Sequence, residues 1–181
     1  MQYRVAKITD FSPEALEKTQ SLLSLSQQEY VSKKGRKAAE SLAARALLSK
    51  LIFDNTGKDI LSKISADQSG RLFIEDMPQL FVSISHSKGM VAVCCSDTSV
   101  GIDIERIRKT TLRLKKKIAD NSNISDEEFF KIWTLREAYL KASGISFSKM
   151  LSLSTQEIYA KAEVMSRQYK DYYLSIVKLK K

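Results

Sequence analysis

The chain contains few cysteines and few histidines, and each scarcity excludes a class of protein. Its 181 residues include only two cysteines, the adjacent Cys94 and Cys95, and one histidine, His86. Successive residues of a strand point to opposite faces, so we expect two separate buried thiols and no disulfide. A zinc site built on cysteines and a metal site built on histidines are both excluded.

Long apolar segments are absent too. No hydrophobic run approaches the roughly 20 residues that a transmembrane helix needs, and the N-terminus lacks the apolar core of a signal peptide. We therefore expect a cytoplasmic protein without a membrane partner. The sequence also lacks a nucleophile elbow, a P-loop and a dinucleotide-binding fingerprint.

The charge balance is strongly basic, with 30 Lys and Arg against 21 Asp and Glu, a net charge of +9. Such a surface attracts polyanions, acidic proteins or phosphorylated ligands. One alternative is therefore a basic nucleic-acid-binding module. We do not favour it and expect no nucleic-acid partner, because the aromatic residues are not interleaved with the basic runs as a stacking surface requires.

The patterns along the chain predict an α+β protein of two halves of similar plan, residues 1–99 and 100–181. In the first half we expect a strand over Met1–Ile8, a helix after Ser12-Pro13, a short helix capped at Ser26 and a long helix over Lys37–Phe53. Three β-rich runs then predict an antiparallel meander: Phe81–Ser85, Met90–Cys95 and Val100–Glu105.

The second half continues with a basic segment, Arg106–Asn123, expected to be a loop or a loose helix. The acidic capping box Ser125-Asp-Glu-Glu128 predicts a helix that ends at Gly144. Two later runs, Leu151–Ile158 and Tyr172–Leu179, have the composition of strands.

Candidate chemistry lies on the third β-run and on the helix after Ser125. Asp103 and Glu105 are two apart, so in a strand they share one face. Glu137 and Lys141 are four apart on the helix and continue a stripe that starts with Phe129 and Trp133. Taken singly, each pair is most simply explained as a solvated surface.

Taken together, the three carboxylates suit a hard cation. Mg²⁺ prefers oxygen ligands and is commonly completed by substrate phosphates. Ca²⁺ is the other candidate, although no dense calcium loop is present. Lys141 beside such an ion could neutralise a phosphate. His86 lies between Ser85 and Ser87 in a polar turn suited to a phosphate oxygen, but a lone histidine is more often structural.

These motifs resemble the 4′-phosphopantetheinyl transferases of the surfactin-synthetase-activating type. That family shows a Ser-His-Ser turn, a Gly-x-Asp-x-Glu strand and a helix with Trp-(Ser/Thr)-x-Lys-Glu-(Ser/Ala)-x-x-Lys. The matching segments here are Ser85-His86-Ser87, Gly101-Ile-Asp103-Ile-Glu105 and Trp133-Thr-Leu-Arg136-Glu137-Ala-Tyr-Leu-Lys141.

The resemblance implies a fold of two pseudo-symmetric α+β halves with the active site in the cleft between them. It also implies Mg²⁺-dependent transfer of the phosphopantetheine arm of coenzyme A to a serine of an acyl or peptidyl carrier protein. Adenosine 3′,5′-bisphosphate is the other product. Asp103, Glu105 and Glu137 would hold the ion, and Asp103, Glu137 and Lys141 would be catalytic, with Lys141 on the diphosphate. The nucleotide would lie against the remaining candidates: Ser85, His86, Gly70, Arg71, Lys33, Lys34 and Arg45.

Some positions depart from the family pattern. Arg136 stands where the family has lysine, and arginine does not exchange its proton. Arg71-Leu72 replaces Lys-Pro beside the adenine, and no acidic residue lies between Arg106 and Ala119, where some members have a proposed base. A catalytically degenerate carrier-binding homologue is therefore the second alternative. We expect a monomer whose basic segment, Arg106–Lys117, docks an acidic carrier protein.

Overall fold

The computed structural model describes residues 1–119 and 123–180 and has the expected α+β class. In chain order the elements are β1 Gln2–Lys7, α1 Pro13–Leu22, α2 Leu25–Ser32, α3 Ala38–Thr56, β2 Ile64–Ala66, β3 Leu72–Ile74, β4 Phe81–Ser87, β5 Met90–Ser96, β6 Val100–Arg106, α4 Leu112–Ala119, α5 Asp126–Ser143, α6 Phe147–Ser152, α7 Thr155–Lys161, β7 Ala162–Tyr169 and β8 Tyr172–Leu179.

Two three-stranded antiparallel sheets form the frame, with strand orders β1-β5-β4 and β6-β8-β7, and β2 pairs with β3 in a separate ribbon. The expected meander is therefore wrong in its last strand. β4 and β5 form a hairpin, but β6 leaves that sheet and pairs with β8, with Ile102 opposite Ile176. Asp103 and Glu105 consequently belong to the second sheet.

The core follows the alternation of the strands. The outer face of the first sheet packs Val91, Val93 and Cys95 against the side chains of α3. Its other face presents Ala92 and Cys94 to Ile102 and Ile104 of β6. The two thiols are free and point to opposite faces, as the sequence predicts.

Helix boundaries agree with the sequence where capping signals are strong. Ser12 and Ser125 cap α1 and α5 through bonds from the amides of Ala15 and Glu128. Gly57 and Gly144 end α3 and α5 in the left-handed conformation. The cap predicted at Ser26 is wrong, because Ser24 precedes α2 and Ser26 lies inside it.

The tail differs most from expectation. Leu151–Ile158 is not a strand, since it spans the end of α6 and most of α7, and Ser154 caps α7 with Glu157 in a capping box. The basic segment forms α4, and the predicted loop residues 120–122 lie outside the described part. The division into halves at Ser99 stays a prediction, although each three-stranded sheet uses strands from one side of that point.

One glycine fixes how α5 crosses the second sheet. A Cβ atom added at Gly101 would lie 2.0 Å from the carbonyl oxygen of Ala138 and 2.7 Å from the amide nitrogen of Ala142. The backbone of α5 therefore lies directly on β6. This close approach brings Lys141, one turn beyond Glu137, to Asp103.

Candidate functional site

A cavity of about 320 Å³ opens beside β4, β6 and α5. Cations and carboxylates line it together, which is unusual for a purely structural gap. Its polar lining includes Lys34, Arg45, Ser85, His86, Asp103, Glu105 and Lys141. The sequence therefore predicted most of the chemistry-bearing side chains that the fold brings to this cavity.

Asp103 is the most deeply buried carboxylate of the lining, with 6% of its surface exposed. Its Oδ1 accepts hydrogen bonds from Ser85 Oγ at 2.7 Å and Lys141 Nζ at 2.8 Å. Its Oδ2 is buried and has no partner among the described residues. Burial raises the pKa of Asp103, and Lys141 and the Ser85 hydroxyl oppose that change.

Glu105 lies two residues further along the same face of β6. Its Oε2 accepts from Ser87 Oγ at 2.7 Å and from Arg108 at 3.0 Å. The two neighbouring carboxylates thus have parallel arrangements, each holding a hydroxyl of β4 and one cation.

Glu137 is half-buried on α5. Burial raises its pKa, the negative charge of Asp103 adds to that rise, and Lys141 opposes it. The three predicted metal ligands are therefore near enough to influence one another. Still, within residues 1–119 and 123–180 no group of three His, Cys, Asp or Glu side chains is arranged to hold an ion. The predicted triad stays a prediction.

The donor set nevertheless fits a hard cation in one respect. A buried carboxylate oxygen without a partner carries a desolvation penalty that a bound ion would remove. Asp103 Oδ2 is such an oxygen, and Glu105 is the next carboxylate beside it. Oxygen ligands of this kind suit Mg²⁺.

Lys141 joins three elements at this point. Besides Asp103, its ammonium donates to the carbonyl oxygens of Ile102 at 2.9 Å and Ile84 at 3.5 Å. Its position on a cavity wall means that an entering phosphate could share it.

His86 is held by a residue that the sequence analysis did not identify. Its Nδ1 lies 3.1 Å from Glu40 Oε2, and Glu40 Oε1 accepts the amide of Gly89 at 2.7 Å. Glu40 in the first turn of α3 therefore connects α3 to the β4–β5 turn through both of its carboxylate oxygens. Burial lowers the pKa of His86 and Glu40 opposes this. Glu40 and His86 are 46 positions apart in the sequence, so no local pattern predicts this pairing.

The predicted anion-binding residues near the N-terminus separate into different environments. Lys34 lines the cavity, with its ammonium 4.2 Å from the centre of the Tyr30 ring. Lys33 instead pairs with Glu29 on the exposed side of α2. Arg45 lines the cavity but is 1% exposed, and its guanidinium is bonded to Gln27 and Ser41.

Gly70 lies at the edge of the first cavity, and the next residue, Arg71, lines a neighbouring cavity. Gly70 has a φ of +82°, which a turn before β3 requires, and it lines both this cavity and a neighbouring one of about 230 Å³. Arg71 lies on the second cavity, where it donates to Ser99 Oγ and covers the ring of Phe81. It does not line the first cavity.

Comparisons with known proteins agree on one family. Residues 99–178 match the model of the 4′-phosphopantetheinyl transferase superfamily. The chain is 26% identical over 113 residues to 4′-phosphopantetheinyl transferase Sfp of Bacillus subtilis, covering 56% of this chain and 50% of the relative. It is 31% identical over 114 residues to 4′-phosphopantetheinyl transferase HetI of a Nostoc species, covering 56% and 44%.

These matches show that part of the chain is similar to 4′-phosphopantetheinyl transferases. The chain spans half or less of the length of these two relatives. The matched family segment contains β6, α5 and β8, and therefore Asp103, Glu105, Glu137 and Lys141. It does not include Ser85, His86, the turn that carries Lys34 or the helix that carries Arg45.

Arg136, the departure from the lysine of the family motif, lies away from these carboxylates. Its Nη1 donates to the carbonyl oxygen of Leu151 at 3.0 Å, and it lines a separate surface cavity beside α4 and α6. Burial lowers its pKa. In this conformation Arg136 contributes to the packing of α6 on α5, so the doubt about proton transfer at this position does not extend to the cavity beside Asp103.

Among the described residues, no helix has both the length and the hydrophobicity needed to cross a membrane. The cytoplasmic location stays a prediction.

Proposed function

We propose that this protein transfers the 4′-phosphopantetheine arm of coenzyme A to a serine of an acyl or peptidyl carrier protein. The observation that carries the proposal is the half-satisfied carboxylate of Asp103, which lies with Lys141 on a cavity lined by basic groups. The similarity of residues 99–178 to the transferase superfamily supports the same reaction. The surfactin-synthetase-activating subtype and a monomeric state belong to the proposal.

Asp103, Glu105 and Glu137 would hold Mg²⁺. When bound, the ion would polarise the phosphate and offset charge on the departing oxygen. Lys141 would turn from its ion pair with Asp103 towards the diphosphate, with His86 and Lys34 as further cationic or hydrogen-bonding groups of the cavity. Since Arg45 already uses its donors within the protein, it contributes positive potential more than direct contacts.

The carrier serine would attack the phosphorus that bears the pantetheine arm. A new bond forms between the serine oxygen and phosphorus, and the diphosphate bond breaks, so adenosine 3′,5′-bisphosphate leaves with the electron pair. The serine must also lose a proton. A water, or Glu137 acting through a water, would accept it.

The basic segment Arg106–Lys117 is the proposed docking surface for an acidic carrier. Leu112 and Leu114 of α4 are exposed beside several cations, and this combination favours a partner that is acidic and partly apolar. Lys115 does not take part, since it is buried and paired with Asp126 at 2.9 Å. Raising the salt concentration should increase the Michaelis constant for the carrier, and an unchanged value would contradict charge-assisted docking.

Transfer can be tested directly by incubating the protein with coenzyme A, Mg²⁺ and a panel of apo-carriers. The expected result is a carrier whose mass has increased by one phosphopantetheine group. Lys141→Met should abolish most of this signal. Lys178→Met is a matched control, because Lys178 is similarly exposed (21% against 28%) and also pairs with an aspartate, Asp97. No modification of any carrier by the wild type, or equal losses in both variants, would contradict the proposal.

A further inference from the structure

Three alternate serines of β4 line the free edge of β6. Ser83, Ser85 and Ser87 accept the amides of Ile102, Ile104 and Arg106 at 3.2, 3.3 and 3.3 Å. All three serines are buried, with 7–8% of their surface exposed. Along this edge of β6, side-chain hydroxyls therefore accept the amides that a neighbouring strand would otherwise pair with.

This arrangement has a simple physical cause. β8 pairs with only one edge of β6, so alternate amides on the other edge need acceptors. A serine hydroxyl can accept such an amide and still has one hydrogen to donate. Since the amide occupies a lone pair of the oxygen, the hydroxyl hydrogen is left for a second acceptor.

Two of the three hydroxyls give that hydrogen to a carboxylate of the candidate site. Ser85 donates to Asp103 and Ser87 to Glu105, both at 2.7 Å, the usual distance for a hydroxyl donor. Ser83, two residues earlier, has no carboxylate partner among the described residues. In β4, two serines therefore bond to both an amide of β6 and a carboxylate, whereas Ser83 bonds only to an amide of β6.

We propose that Ser85 and Ser87 are positioning residues, which orient the carboxylates of Asp103 and Glu105 for a divalent ion. Ser85 and Lys141 together occupy Asp103 Oδ1 and leave Oδ2 as the oxygen available to an ion. Because the Ser85 hydroxyl donates its hydrogen to Asp103, this role differs from the nucleotide contact that the resemblance implies for Ser85. The inference rests on the proposed function, since it assumes an ion at Asp103.

The test compares Ser85→Ala and Ser87→Ala with the matched control Ser83→Ala. Each substitution removes one amide acceptor of the edge, but only the first two release a carboxylate. The readouts are the melting temperature and the dissociation constant of Mn²⁺, measured by electron paramagnetic resonance on full-length protein with coenzyme A and without carrier. Ser85→Thr restores the hydroxyl.

All three alanine variants should lose stability, and the two that also release a carboxylate should lose somewhat more. Ser85→Ala and Ser87→Ala should weaken Mn²⁺ binding by roughly 10–100-fold, the range for partners that orient metal ligands. Ser83→Ala should leave binding within about twofold of wild type, and Ser85→Thr should recover most of the affinity.

Equal Mn²⁺ affinity in the three alanine variants would overturn the inference while leaving the proposed transfer intact. Failure of the wild type itself to bind Mn²⁺ would overturn the inference together with the metal assignment. The carrier mass assay, which is independent of both readouts, then decides whether transfer also fails.

Discussion

Two buried charges, Arg45 on the long helix α3 and Asp103 on strand β6 beside the long helix α5, have different hydrogen-bonding environments. On α3, Arg45 is 1% exposed and bonds to Gln27 and Ser41 through Nε and both Nη atoms. Beside α5, Asp103 has one satisfied oxygen and one buried oxygen without a partner among the described residues. Both lie on the same cavity.

We propose that this difference separates a structural charge, Arg45, from a ligand-binding one, Asp103. A buried charge whose hydrogen-bonding groups are occupied within the protein rigidifies its surroundings, whereas a half-satisfied one retains an unmet interaction that a ligand can complete. The sequence treated both residues as ligand contacts. The structure indicates that Arg45 ties α3 to α2, and it leaves Asp103 as the candidate ligand.

Asp103→Asn should have the largest effect on activity. It keeps the size of the side chain but removes the charge that an ion requires, so phosphopantetheine transfer should fall by roughly 100-fold or more. Asp97→Asn is the control, because Asp97 is the exposed partner of Lys178. Near-normal transfer by Asp103→Asn in the carrier mass assay would remove the distinction drawn between the two buried charges.

Gly101→Ala should have the largest effect on stability. Its Cβ would meet the backbone of α5 at 2.0 Å, so the helix must move off β6, at a cost of about 3 kcal/mol or more in the free energy of unfolding. Gly57→Ala is the control, because it adds left-handed strain in open space and should cost only about 1 kcal/mol. Equal costs in denaturant titrations would mean that α5 is not fixed by this contact.

Gln27→Leu tests the structural role of the other buried charge, Arg45. It removes the acceptor of two Arg45 bonds and leaves a buried guanidinium partly unpaired, so about 2–3 kcal/mol of stability should be lost. The melting temperature should fall by roughly 4–12 °C. The turnover number at a temperature where the variant is folded should change little. A large loss of turnover at unchanged stability would give Arg45 a catalytic role.

The smallest expected effect concerns pH. Burial lowers the pKa of His86 below its ordinary value near 6.5, so the unfolded chain binds more protons at this site than the folded protein. Stability from this group should therefore be complete above about pH 6.5 and decline as the pH falls below that value. His86→Gln should flatten the decline of melting temperature between about pH 6.5 and 5. An unchanged slope would contradict the assignment.

Local signals predicted much of the fold. Strand alternation predicted β1, β4, β5, β6 and β8, and capping residues predicted the ends of α3 and α5. The tail was missed because α6 and α7 are short helices with the composition of strands, so the caps at Ser146 and Ser154 were the available signs. The exchange of β6 into the second sheet depends on pairing with β8, some 70 residues later, which no local pattern encodes.

The candidate site was likewise predictable only in part. Spacing predicted that Asp103 and Glu105 share a face, because the period of a strand is fixed. The resemblance implied that Lys141 lies near them. Spacing did not identify Glu40 beside His86 or the serines of β4 along β6, because these contacts join separate elements. The serines were visible as an alternating pattern, but their acceptors became clear only with the position of β6.

The central claim is that the unpartnered oxygen of Asp103 is a ligand of a divalent ion. A crystal structure of the protein with coenzyme A and Mn²⁺ tests it most directly through anomalous scattering of the metal. The predicted result is a peak at roughly 2.0–2.3 Å from Asp103 Oδ2, with Glu105 or Glu137 as a second ligand. A bound coenzyme A with no peak at Asp103, or with Mn²⁺ held by other residues, would contradict the claim.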